Sequence, residues 1–305
     1  MHIGEVAAEG VLRVRTLMVN VFLVRTGPSW VLVDAGLRGH ARTIVSAAAE
    51  FVGPGKAPEA IILTHGHFDH IGSLEALIEQ WPVPVYAHRL ERPYLNGESA
   101  YPPPDPLVGR GSMALFSRLY PRGPIDVGNY LNVLPEDGSV PMMPGWRYIF
   151  TPGHTAGHVS LFRERDKTLI TGDAVTTTKQ ESALAVLTQR EEMHGPPAYF
   201  TQDWKSAGES VRKLAALEPE VLASGHGVVM RGAPMRESLH ALAAHFAREV
   251  PLYGRYAKEA AVTDEHGIVR LPPDPFPKVA AGLAAAAVAI GLVSQASRMR
   301  RSAYR

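Results

Sequence analysis

The sequence predicts an α+β fold in which two β-sheets pack face to face and helices cover the outside. Short apolar, β-branched runs alternate with stretches of helical character. They come in two successive groups, each strand-rich first and mixed later, a pattern that two packed sheets with outer helices satisfy. Several of the apolar runs also end in Gly-flanked His or Asp residues, where rim loops begin. At 305 residues and 46% hydrophobic, the chain has ample material for a buried core and is excluded from the disordered class.

Residues 11–34 read as three strands, VLRV, VFLVRT and WVLVDAG, the last two joined by a turn at Gly27-Pro28-Ser29. ARTIVSAAAEF (41–51) is helical and stops at Gly53-Pro54-Gly55. EAIILTH (59–65) is a buried strand, GSLEALIEQW (72–81) a helix ended by Pro82, and VPVYAH (83–88) another strand. Residues 91–145 hold ten prolines, including Pro102-Pro103-Pro104. They read as an irregular insertion, in which Met113, Leu115, Phe116, Leu119 and Tyr120 could form a short apolar helix; long ordered loops of this kind serve as lids or binding loops. Strands resume at 146–151, 158–164 and 167–173, followed by a helix at 206–217, a strand at 220–226 and a helix at 234–249. The expected organisation is a catalytic domain over 1–250 that includes the insertion, and a C-terminal extension over 251–305.

Lys and Arg total 31 against 30 Asp and Glu, a net charge of +1, which gives no electrostatic case for a nucleic-acid partner. The chain has no cysteine, so thiolate metal sites and Cys nucleophiles are excluded. The N-terminal MHIGEVAAEGVLRVRT lacks the basic start and apolar stretch of a secretory signal, so a cytoplasmic location is expected. Residues 279–293 carry no polar side chain, and Arg298, Arg300, Arg301 and Arg305 follow. The run is shorter than the ~20 residues that span a bilayer. Two readings stay open: a helix packed on the domain or on a second copy in a homodimer, and a tail (279–305) that contacts a membrane.

The chemistry concentrates in THGHFDH (64–70), where His65, His67, Asp69 and His70 follow directly on an apolar strand. Ligands two residues apart turn into one cleft from a loop, whereas on a helix they diverge. TPGHT puts His154 after another strand, TGD puts Asp173 at the end of the next, and SGHG puts His226 at the end of a fourth. Five His and two Asp exceed one tetrahedral ion and suit two ions, each with an open position. The all-N/O donor set admits Zn, Fe, Mn or Co.

These motifs resemble the metallo-β-lactamase superfamily of metal-dependent hydrolases over roughly residues 11–230. The resemblance implies a four-layer αβ/βα sandwich with the site at the sheet rim. It implies that His65, His67 and His154 bind one ion, that Asp69, His70 and His226 bind a second, and that Asp173 bridges them. Two divalent ions are expected, zinc first, with iron or manganese as the other choices. Asp34 in LVDAG matches a supporting rather than a ligating position. A hydroxide shared between the ions would be the nucleophile at neutral pH, with Asp69 and Asp173 the catalytic carboxylates. His158 in GHTAGH is expected to orient the His154 loop.

The motifs look most like the glyoxalase II-like and lactonase-like branches, which implies a small ester, lactone or thioester as substrate. Gly72-Ser73 replaces the Gly-Gly usual in glyoxalase II proteins, and Thr176 stands where quorum-sensing lactonases carry a Tyr. Thr176, Thr177, Tyr199, His194 and Trp204 are the residues that could stand in for that phenol. The apolar side chains of the insertion (Tyr94, Tyr101, Leu107, Met113, Phe116, Tyr120) point to an apolar acyl group. The alternatives are a mononuclear-iron enzyme resembling persulfide dioxygenases and a small-molecule phosphoester hydrolase.

Overall fold

A computed structural model describes residues 4–109 and 111–282. Seven strands form the first sheet in sequence order: β1 (Glu5–Ala8), β2 (Val11–Thr16), β3 (Val19–Thr26), β4 (Ser29–Val33), β5 (Ile61–Ile62), β6 (Val85–Ala87) and β7 (Leu131–Val133). The β1–β4 meander is antiparallel, with Phe22 opposite Val33, and β4 to β7 run parallel. Helices α1 (Ala41–Val52), α2 (Phe68–Ile71) and α3 (Leu74–Gln80) lie within its crossovers.

Alternation along the strands divides each one between two cores. On β3, Val21 and Leu23 face α1 and α3, where they meet Ile44, Ala47, Leu74 and Leu77. Phe22 and Val24 face the other way, toward the second sheet. Both sets are fully buried, which is why these strands read as continuous apolar runs rather than half-polar ones.

The insertion carries α4 (Arg92–Leu95) and α5 (Ser112–Leu115), and it supplies β7 to the first sheet. The second sheet contains β8 (Trp146–Phe150), β9 (Val159–Arg163), β10 (Thr168–Gly172), β11 (Val221–Ser224) and β12 (Met230–Arg231), in the order β12-β11-β10-β9-β8. Its inner face adds Trp146, Val159, Leu161, Ile170 and Ala223 to the core between the sheets. Helix α6 (Ala183–Thr188) follows the Asp173 loop. Helices α7 (Trp204–Ala215) and α8 (Gly232–Ala244) cover the outer face, packing Trp204, Val211, Leu214, Met235 and Leu239 on Phe162, Leu169 and Leu222. Helix α7 begins two residues before the expected 206 because the Asp203 side chain accepts from the Lys205 and Ser206 amides. The layers are therefore helix, sheet, sheet, helix, and the predicted αβ/βα sandwich holds.

The chain divides into two compact units, Met1–Leu271 and Pro272–Arg305. The hairpin of β13 (Val262–Asp264) and β14 (Gly267–Arg270) belongs to the first. The expected role of 279–305 is corrected. Among the described residues no helix is long and apolar enough to cross a membrane, and 283–305 lie outside the described residues. Neither the membrane contact, nor the localisation stated with it, nor a homodimer formed through that tail has support here.

Candidate metal centre

Each expected ligand lies just beyond the C-terminal end of a strand. His65 and His67 follow β5, and Asp69 and His70 occupy the single turn of α2. His154 sits between β8 and β9, Asp173 directly after β10, and His226 two residues after β11. All seven are buried, and Asp69 is the most open at 8% exposure. Three groups bring one donor atom from each member within 4.8 Å of the others: His65, His67 and His154; His65, His70 and Asp173; Asp69, His70 and His226.

Hydrogen bonds set the imidazole tautomers. Thr64 Oγ1 donates to Asp34 Oδ2 (2.8 Å), so it accepts from His65 Nδ1 (3.1 Å). His70 Nδ1 donates to the same Asp34 oxygen (2.9 Å). His226 Nδ1 donates to the Met18 carbonyl (2.9 Å). Thr201 Oγ1 donates to the Pro197 carbonyl and accepts from His154 Nδ1 (3.5 Å). In four of the five rings Nδ1 is thus occupied by protein, and Nε2 is turned inward. A carboxylate or carbonyl on the far ring nitrogen is the usual support of a metal-binding histidine.

The inner atoms test the fit of a metal. His65 Nε2, His70 Nε2 and Asp173 Oδ1 are buried with no hydrogen-bond partner, a costly arrangement unless something else satisfies them. His67 Nδ1 lies 3.0 Å from His154 Nε2. Asp173 faces both halves of the centre: Oδ1 is 3.3 Å from His70 Nε2, while Oδ2 is 3.2 Å from His226 Nε2 and 3.5 Å from His154 Nε2. Asp69 Oδ2 lies 3.3 Å from His226 Nε2. The donors present suit a metal cofactor.

Electrostatics divides the centre in two. Burial, with neighbouring imidazoles, holds His65 and His154 well below the usual histidine range, and burial lowers His67 to about 4. These three are neutral, the form in which imidazole ligates. At His70 and His226 burial is outweighed by Asp173 together with Asp34 or Asp69, so His70 rises well above its ordinary value and His226 to about 10. Against its own burial, Asp173 is held well below the carboxylate range by His226 and His70.

Buried side chains around the ligands hold their loops, and Asn20 and Glu91 among them carry no local sequence signal. His158 is buried and accepts from the Asp173 amide (2.9 Å) while bonding Thr151 Oγ1 (2.8 Å) at the start of the His154 loop; it ties that loop to Asp173. At Gly172, φ is +53°, and a Cβ would lie 2.6 Å from His158 Nε2, so the turn into Asp173 needs glycine. Asn20 Nδ2 reaches from the first sheet to the Ser224 and Gly227 carbonyls (2.8 and 2.9 Å) and clamps the His226 loop. Glu91, fully buried, accepts from the Gly66 amide (3.0 Å), the Gly157 amide (2.9 Å), Thr155 Oγ1 (2.6 Å) and the Tyr101 hydroxyl.

An aromatic wall stands beside the centre. Phe200 stacks on the His67 ring at 4.5 Å, and Tyr101 lies at 4.6 Å from it. Tyr120 packs near Phe68, Phe200 and Tyr199. Of the apolar insertion residues, Tyr94 and Tyr101 are buried and stacked at 3.8 Å, while Phe116 is turned outward at 55% exposure. The candidate stand-ins for a catalytic phenol separate. Thr176 Oγ1 donates to the Gly195 carbonyl and Thr177 Oγ1 to the Val228 carbonyl. Trp204 belongs to the α7 core, and the His194 ring lies beside Glu192 (3.3 Å) and Glu249 (3.9 Å). Tyr199 is the one drawn into the field of Asp69: burial first, then that carboxylate, raises its phenol well above the ordinary value.

A family model described as "Metallo-beta-lactamase superfamily" matches residues 14–226. The chain is 49% identical over 243 residues to "Probable metallo-hydrolase YflN" of Bacillus subtilis (strain 168), covering 79% of this chain and 92% of that protein. It is 30% identical over 209 residues to "Probable metallo-hydrolase YybB" of the same organism, covering 68% and 80%. Among solved structures, one described as "the First B3 Metallo-beta-Lactamase with an Active Site Glutamic Acid" aligns with a TM-score of 0.57 at 20% identity. It covers 82% of this chain and 90% of that one, a likeness of fold.

Proposed function

The chain belongs to the metallo-beta-lactamase superfamily and is a metal-dependent hydrolase; from that premise we propose that it uses two metal ions to cleave a small ester, lactone or thioester with an apolar acyl group. The observation that carries the two-ion reading is the set of buried, unpartnered inner atoms, with Asp173 facing both halves of the centre. In this reading His65, His67 and His154 hold one ion, Asp69, His70 and His226 the other, and Asp173 joins them. Zinc is the first choice for both.

Bound there, the ions supply an acidified water and a Lewis acid for the scissile carbonyl. The chain's own residues do the rest. Asp34 and the Met18 carbonyl hold His70 and His226 in the tautomer that leaves Nε2 free. Asp69, the most open of the seven, orients the attacking water and receives its proton. Phe68, Tyr101, Tyr120 and Phe200 exclude water from one side and offer an apolar surface to the acyl group.

The test is elemental analysis of protein purified without added metal or affinity-tag nickel, paired with a panel of an aryl ester, a medium-chain lactone, an acyl thioester and a phosphotriester. Near two equivalents of zinc or mixed divalent metal per chain, with carbonyl hydrolysis lost in His67→Ala and Asp173→Ala, supports the proposal. One equivalent of iron, a silent panel and oxygen uptake on a persulfide would overturn it in favour of oxidative chemistry.

A further inference from the structure

Glu91 opens the Pro-rich stretch as an ordinary charge in sequence, yet it is completely buried at the junction of three segments. Its Oε2 accepts from the amide of Gly66, the residue between His65 and His67, and from the Tyr101 hydroxyl. Its Oε1 accepts from Thr155 Oγ1, next to His154, and from the Gly157 amide, next to His158. The Gly66 amide also donates to Tyr101 Oη at 2.9 Å. One carboxylate therefore ties together the backbones that carry all three histidines of the first group. Tyr101 adds the insertion to the same node and lays its ring against His67.

We propose that Glu91 is a positioning residue that sets the spacing of His65, His67 and His154, and that through Tyr101 it couples the Pro-rich insertion to that half of the centre. The inference rests on the metal-site reading above. All four partners of Glu91 donate. Only a carboxylate supplies two acceptor oxygens to them, and an amide would turn an NH2 toward two donors. No such link runs from Glu91 to Asp69, His70 or His226 among the described residues. Its effect is confined to one half of the centre, which a general loss of stability would not reproduce.

The experiment reloads the metal-free protein with Zn²⁺ against a chromophoric chelator and reads each equivalent separately. In Glu91→Gln the equivalent lost in His67→Ala weakens about 10- to 100-fold, the range usual for outer-shell partners of metal ligands, while the other keeps its affinity. In the His67→Ala background, Glu91→Gln leaves the remaining equivalent unchanged. Tyr101→Phe and Thr155→Val each remove one donor and keep the carboxylate. They weaken the same equivalent by a smaller factor, and they carry the test should Glu91→Gln fail to fold. Equal weakening of both equivalents, or no change in these variants, overturns the proposal. A wild type that holds only one equivalent overturns the two-ion reading instead, and Glu91→Gln then decides this inference on that single equivalent.

Discussion

Gly225→Ala adds one methyl group where the centre has no room for it. A Cβ at this position would stand 2.2 Å from Asp173 Oδ1 and 2.8 Å from His70 Cε1, the first more than 1 Å inside ordinary contact. The backbone cannot recede, because the Gly225 amide donates to the Gly172 carbonyl (2.8 Å) and its carbonyl accepts from the Asn20 amide (2.7 Å). Its neighbours are held too: His158 fixes the Asp173 amide and Asp34 fixes His70. The carboxylate must therefore swing away from its place between the two halves. Overpacking of this kind costs about 1–3 kcal/mol of stability, partly offset by the roughly 0.4–1 kcal/mol that Ala gains over Gly in the unfolded chain. The catalytic cost is larger, since a misplacement of about 1 Å costs on the order of 100-fold. Urea unfolding, metal content and kcat/KM on the best substrate of the panel measure the three effects. Full metal content together with wild-type kcat/KM would refute the claim that Asp173 occupies a position fixed from both sides.

Four further outcomes are expected. Unfolding of the metal-free protein is pH-dependent in both directions: His67, lowered to about 4, and His158, lowered to about 3, favour the fold above the unfolded value of about 6.5 and lose that contribution as the pH falls toward their folded values. His226, raised to about 10, contributes fully below about 6.5 and loses its share as the pH rises toward 10. Denaturation midpoints should thus peak near neutrality, and a midpoint that rises steadily from pH 5 to 9 would contradict the assignment. Phe22→Ala, in the core between the sheets, should cost about 3–5 kcal/mol in denaturant while leaving the metal ratio of the folded fraction unchanged. Thr176→Val should leave kcat near wild type, because that hydroxyl is spent on the Gly195 carbonyl; a loss of a hundredfold would return it to the chemistry. Asp34→Asn should lower metal retention under chelator, because the amide cannot accept from both Thr64 and His70 on one oxygen and from the Thr64 amide on the other.

Most of the fold was legible because its central strands are buried on both faces and its helices on one. Runs such as VFLVRT and WVLVDAG announce such strands, and Leu74, Leu77 and Ile78 announce α3. What went unread is short and held by distant partners. β7 has three residues and pairs with β6 across most of the Pro-rich insertion, and β12 has two residues beside β11. Periodicity needs more residues than these elements contain.

The candidate centre divides the same way. The candidate donors were visible in the sequence, because a strand that ends in Gly-flanked His or Asp delivers those side chains to a rim through local geometry alone. Folding settled how His154 meets His67, which carboxylate oxygen of Asp173 faces which ring, and that the Met18 carbonyl, Asn20 and Glu91 join Asp34 in holding the histidine loops. A donor carries its signal in its own residue type. A support carries it in a contact that forms only once two sheets and an insertion have closed on each other, with Asn20 reaching 204 residues along the chain to Ser224.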